Sequence, residues 1–248
     1  QYPASTLMLT FGHFAATAIE ILGVFALFDR FGPVGGWSFG EAALFYALVN
    51  IAFSIADLLT RGFDVFGSDF VRTGAFGRLL LRPRSATLQL IGHEVRVSRL
   101  GRLLQGISVL ILATHLAPIT WDAAAVATAV GAVAGGAALF AGLLVLQATL
   151  AFWTVESLEI VNVLTYGGVQ AAQYPLNIYA AWFRRLLTFG VPLACVAYYP
   201  VLAILNRQDP LGAPDWFLPI APLAGFVFLG LSFLAWRVGM ARYASTGS

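Results

Sequence analysis

Apolar residues gather in six long blocks separated by short polar or glycine- and proline-rich breaks. They run Leu7 to Phe28, Glu41 to Leu59, Leu100 to Ala117, Asp122 to Phe152, Leu186 to Leu205 and Phe217 to Trp236. At a rise of ~1.5 Å per residue, each block is long enough to cross ~30 Å of hydrocarbon as a helix. The pattern predicts an all-α integral membrane protein, one domain over residues 1–248 with six transmembrane helices. The fourth block is over-long, which permits a tilt. The fifth contains Pro192 and Pro200, with Tyr198 and Tyr199 beside the second. It reads as a kinked or broken helix whose freed carbonyls need a partner or a cavity. The third block starts among arginines, and Arg99 and Arg102 are expected to snorkel to the headgroups.

Two segments outside the blocks are too long to be turns. Residues 60–98 contain an expected short helix from Ser68, a good N-cap, to Leu81 or Arg82, where Pro83 stops it. Arg72, Phe76, Leu79 and Leu80 recur on it at helical spacing with Arg78 and Arg82 interleaved, a basic amphipathic pattern. Such a helix either lies on anionic headgroups or docks a cytoplasmic partner. Residues 154–185 carry Glu156 and Glu159 one turn apart, then Gly167, Gly168 and Pro175, and read as an interfacial helix followed by a broken re-entry into span five. Twelve of the fourteen arginines fall on the side of these two segments and of the C-terminus, against Arg30 and Arg207 opposite. The positive-inside rule then makes both termini cytoplasmic. Trp37, Trp121 and Trp216 fall near the outer interface, and Trp153, Trp182 and Trp236 near the inner one.

Composition agrees: 59% of residues are hydrophobic and 10% charged, with a mean hydropathy of +0.82, far from the polar surface of a soluble domain. All basic residues are arginine, which excludes a P-loop lysine, a Schiff-base lysine and a serine–lysine dyad. The net charge of +2 lacks the basic stripe a nucleic acid needs. No catalytic constellation is found. His93-Glu94 lacks the second histidine of a zinc motif, and His13, His93 and His115 sit at three different depths, which argues against a metal centre. Cys195, alone in an apolar stretch, reads as a small buried hydrophobe. Gly131 and Gly135 form a G-x-x-x-G pattern suited to close helix packing. Polar residues at membrane depth stand out more. Thr10, His13, Thr17 and Glu20 share one face of the first span, and Asn50, Ser54 and Asp57 one face of the second. Together with Tyr198 and Tyr199 they either line a polar path or subunit seam, or satisfy each other inside the bundle.

One stretch carries a resemblance. Val71-Arg-Thr-Gly-Ala-Phe-Gly-Arg-Leu-Leu-Leu-Arg-Pro83 resembles the I-x-x-G-x-F-D-x-x-L-L-R-P signature in one branch of the ABC-2-type permeases, the six-span membrane subunits of ABC exporters. Phe152 to Glu156, Gln173 to Tyr179 and Pro192 to Pro200 fit the same branch, so the resemblance runs in order along the whole chain. It implies the type-2 exporter permease architecture in a bacterial cytoplasmic membrane and no catalytic role for this chain. ATP and Mg²⁺ would bind a separate nucleotide-binding subunit, and two permeases would form the path. The coupling helix between spans two and three would dock that subunit through Arg72, Gly74, Phe76, Arg78 and Leu79, with Leu81, Arg82 and Pro83 fixing its exit. Ala75, Gly77 and Arg84 depart from the usual glutamate, aspartate and leucine, raising the positive charge and favouring pairing with an unlike second permease. The competing readings are a secondary transporter working without ATP, for which no three-plus-three repeat is seen, and an intramembrane enzyme or scaffold.

Overall fold

The computed structural model describes residues 3–91, 93, 100–153 and 158–242. Helix α1 covers Pro3–Phe31 and α2 Phe39–Asp64. The sequence Ser38-Phe-Gly-Glu41 starts α2 with a reciprocal cap: the Ser38 amide donates to Glu41 Oε2 (2.8 Å) and the Glu41 amide to Ser38 Oγ (3.4 Å). A π-helical turn, Phe66–Val71, follows, then α3 (Ala75–Leu80) and α4 (Ala86–Ile91). The continuous helix expected from Ser68 is therefore interrupted. Gly74 holds φ at +67°, a left-handed conformation open to glycine, and turns the chain before α3 begins. Helix α5 is Leu100–Leu116, and α6 is Ala123–Leu150, capped by Asp122, whose carboxylate accepts from the Ala125 amide (2.7 Å). Then come α7 (Leu158–Ala172), α8 (Ala181–Arg185) running into a second π-helical turn (Leu186–Gly190), α9 (Leu193–Val196), α10 (Tyr198–Ile204) and α11 (Leu223–Ala241). The last helix starts later than the apolar pattern predicts, because Phe217 to Pro222 form turns around Pro219 and Pro222.

Three described helices are long and apolar enough to cross a membrane: Phe39–Val71, Ala123–Leu150 and Leu223–Ala241. Helices α2, α6 and α11 run side by side in one direction. Ala52 meets Gly136, Phe53 packs edge-on to Phe140 (5.4 Å) and the Gln147 amide reaches Asp64. Gly225 of α11 lies so close to α6 that a Cβ there would sit 1.9 Å from the Gly135 carbonyl oxygen. The expected partner of Gly135 is thus α11, while Gly131 meets nothing. Helix α5 runs the opposite way, with Leu116 against Gly40 and Gly106 against Ile51. Helix α7 also opposes α2: Tyr166 reaches Asp64 near the end of α2, and Asn177, just past α7, reaches Trp37 and Gly35 before its start.

That geometry corrects the fifth span. The segments Ala181–Gly190 and Leu193–Ile204 form a pair bent by 73°. Ile178, ahead of the pair, packs on Gly35, and Arg207, behind it, donates to the Gly36 carbonyl (3.3 Å), so both ends meet one loop. Between them Val196 reaches Gly136, halfway along α6. Leu186 to Leu205 therefore enters the bundle and returns on the same side. Within the segment 154–185, expected to stay at the basic end, residues 158–172 instead form α7, which runs back along α2. An apolar block of twenty residues has the length of a crossing whether it crosses or doubles back, and Pro192 interrupts its helix. Arg184, Arg185 and Trp182 move with the hairpin, away from the basic end. Trp37 and Trp236, expected in interfacial belts, are buried at 3% and 1% exposure.

Candidate functional site

The basic elbow, Phe66 to Ile91, caps the far end of α2. Its apolar side joins a cluster of buried rings. Phe66 sits 4.9 Å from Phe76, 5.1 Å from Trp236 and 5.2 Å from Phe152, with Phe63 5.2 Å from Trp236. Phe70, Leu79 and Leu90 complete it, together with Leu144, Val145 and Ala148 of α6. Trp236 Nε1 also donates to Thr87 Oγ1 (3.2 Å), fastening α4 to α11. The helical spacing of Phe76 and Leu79 was legible in the sequence, but both point inward, at 0% and 6% exposure. They anchor the elbow and offer nothing to a partner. The outer side presents Arg72, Gly74, Arg78, Leu81, Arg82, Pro83 and Arg84, all exposed. None of these four arginines pairs with an acid among the described residues.

Beneath the elbow the buried polar residues of α2 find partners inside the chain. Arg102 Nε donates to Asn50 Oδ1 (3.1 Å) and its guanidinium lies 4.9 Å over the Phe53 ring. Arg102 thus turns into the bundle instead of snorkelling. Ser54 Oγ donates to the Asn50 carbonyl (2.7 Å). Asp57 lies 3.8 Å from Arg61, which also pairs with Asp64, and Asp64 accepts from Gln147 (3.3 Å) and Tyr166 (3.3 Å). Asn50 thus ties α2 to α5, while Asp64, joined to Asp57 through Arg61, ties α2 to α6 and α7. The side chains of His13, Thr17 and Glu20 lie outside the described residues. Among the described residues no three His, Cys, Asp or Glu side chains are grouped to hold a metal.

A helical bundle with an elbow at one end and a hairpin dipping in from the other meets one family profile: that described as ABC-2 family transporter protein matches residues 14–247. The chain belongs to the ABC-2 transporter family. No curated protein and no solved structure matches it. This ABC-2 chain is a multi-pass membrane protein.

At the opposite end, this ABC-2 chain is clasped by polar pairs. Glu41, 2% exposed, forms an ion pair with Arg207 (2.7 Å), whose guanidinium also lies 4.9 Å over the Trp37 ring. Trp37 Nε1 donates to Asn177 Oδ1 (3.1 Å), and Asn177 Nδ2 to the Gly35 carbonyl (3.2 Å). Tyr198 donates to Asp209 Oδ1 (2.9 Å), while Asp209 also accepts the amides of Leu211 and Ala213. Tyr199 packs edge-on to Phe217 (5.2 Å). Tyr198 and Tyr199 thus hold the hairpin in the bundle and stand apart from Asn50 and Asp57. Burial, and secondarily Tyr174, pushes the Tyr179 phenol up to about 12, keeping it a donor to the Ala171 carbonyl (2.9 Å). Sequence reasoning missed Glu41 and Arg207 as a pair. Only the Ser38–Glu41 capping box marked that corner, as a helix start.

Proposed function

We propose that this ABC-2 chain is the membrane-spanning permease subunit of an ATP-driven exporter, coupled through the elbow to separate ATPase subunits. The observation that carries the reading is the elbow itself, a basic exposed turn fused by aromatic rings to the ends of α2, α6 and α11. A push on Arg72, Arg78 and Leu81 reaches three transmembrane helices without passing through a flexible linker. ATP and Mg²⁺ stay on the ATPase, and this chain contributes no catalytic group. Two six-pass permeases, this one and an unlike partner, form the path, and ATP-driven closure of the ATPases rocks them apart. The six passes are α1, α2, α5, α6, α7 and α11. Both termini lie in the cytoplasm of a bacterial inner membrane, supported by the arginines of the elbow segment.

The test is co-purification with an ATP-binding subunit from a neighbouring reading frame. Wild type retains the ATPase and supports vanadate-sensitive hydrolysis in lipid, whereas Arg72→Glu with Arg78→Glu, or Leu81→Asp, releases it. Failure of wild type to retain any ATPase overturns the reading. Orientation is tested by cysteine labelling: Asn177→Cys and Gln208→Cys both react from outside the cell, and Arg242→Cys only from within. Labelling of Asn177→Cys and Gln208→Cys from opposite sides would refute the hairpin.

A further inference from the structure

The elbow has a second exposed face that coupling does not use. Between α3 and α4 lies a groove of about 850 Å³, lined by Arg82, Pro83, Arg84, Ser85, Leu88 and His93. Among the described residues no acidic side chain lines it. The groove is preformed: the Gln89 side-chain amide donates to the carbonyls of Leu79 (3.3 Å) and Arg84 (3.0 Å), and His93 is braced on the Phe70 ring (4.7 Å). Its depth follows from α2. Gly40, at one end of that helix, meets the end of α5, while Gly62, near the other, packs on the backbone of Leu90 in α4. Twenty-two residues of helix span about 33 Å, close to the ~30 Å of hydrocarbon. Helix α4 therefore lies at the boundary between acyl chains and headgroups. There it exposes Leu88 (66%) beside Arg82 and Arg84, which have no acidic partner among the described residues.

An exposed leucine at that depth meets acyl chains, and guanidinium groups beside it meet phosphate. We infer that this groove holds the headgroup of an anionic phospholipid of the elbow-side leaflet, between Arg82 and Arg84, with Leu88 against its chains. The site is separate from the coupling face, since Arg72 and Arg78 do not line it.

Native mass spectrometry of the full chain, purified in detergent and titrated with phosphatidylglycerol or phosphatidylcholine, tests this. Wild type retains phosphatidylglycerol in preference. Arg82→Gln with Arg84→Gln weakens that binding roughly 25-fold, about fivefold for each arginine near an anionic surface. The thermal transition and phosphatidylcholine binding do not move. Arg72→Gln with Arg78→Gln, of equal charge change, shifts phosphatidylglycerol binding by less than about twofold. Three results would overturn the site: equal retention of both lipids by wild type, the same loss in the control pair, or displacement of the lipid by saturating ATPase subunit, which would make the groove part of the ATPase interface.

Discussion

The two ends of the bundle are held by opposite means. At the elbow end apolar rings are buried, and the four exposed arginines of the elbow have no acidic partner among the described residues. At the hairpin end a carboxylate is buried and paired with an arginine that lies over the Trp37 ring. Ring packing is non-directional and survives small shifts, so an element fixed that way can be pushed without coming apart. An ion pair with hydrogen-bonded neighbours has one good geometry and loses most of its value when displaced. Under the coupling proposed above, the elbow end would carry the load and the hairpin end would hold or release.

Substitutions that separate the two kinds of fastening sharpen the contrast. The largest effect belongs to the rings: Phe76→Ala or Trp236→Ala lowers stability by about 3–5 kcal/mol, read as the lowest thermal transition in detergent. At the hairpin end Arg207→Gln costs about 2 kcal/mol, because Glu41 is left buried without its cation. Glu41→Gln costs less, since half-exposed Arg207 then turns to water. The double variant resembles Glu41→Gln, and an additive double would break the picture of a single latch. Inside the bundle, Arg102→Met costs about 1 kcal/mol by freeing Asn50, checked by a cycle with Asn50→Leu. Smallest of all, Arg72→Glu with Arg78→Glu moves stability by within ~0.5 kcal/mol yet releases the ATPase. A large stability loss there would show those arginines to be structural.

The sequence announced the helices that long apolar blocks can announce. The blocks from Glu41 and from Asp122 foretold α2 and α6, and the basic amphipathic elbow was legible from Arg72, Phe76 and Leu79. Periodicity gives the faces of a helix but not the surroundings, so Phe76 and Leu79 read equally well as contacts for a partner or for this chain's own core. The hairpin was hidden for a different reason. Length and hydropathy of Leu186 to Leu205 match a crossing, and only the meeting of Ile178 and Arg207 with Gly35 and Gly36, far away in sequence, shows that the chain turns back. Helix α7, with Tyr166, Gly167, Gly168 and Gln170, lacks the unbroken apolar run of the other passes, and Tyr166 reaches Asp64.

The backbone contact between Gly135 and Gly225 decides how any such movement spreads. With no side chain between them, α6 and α11 have no soft layer to absorb a displacement, and α2 lies against the same helix at Ala52 and Gly136. Under the proposed coupling, the three parallel helices would move as one lever with the elbow as its short arm. Its fulcrum must then lie along α1, α5 and α7, so a spin label on α11 and another on α2 would keep their separation through a transport cycle while both move against α5.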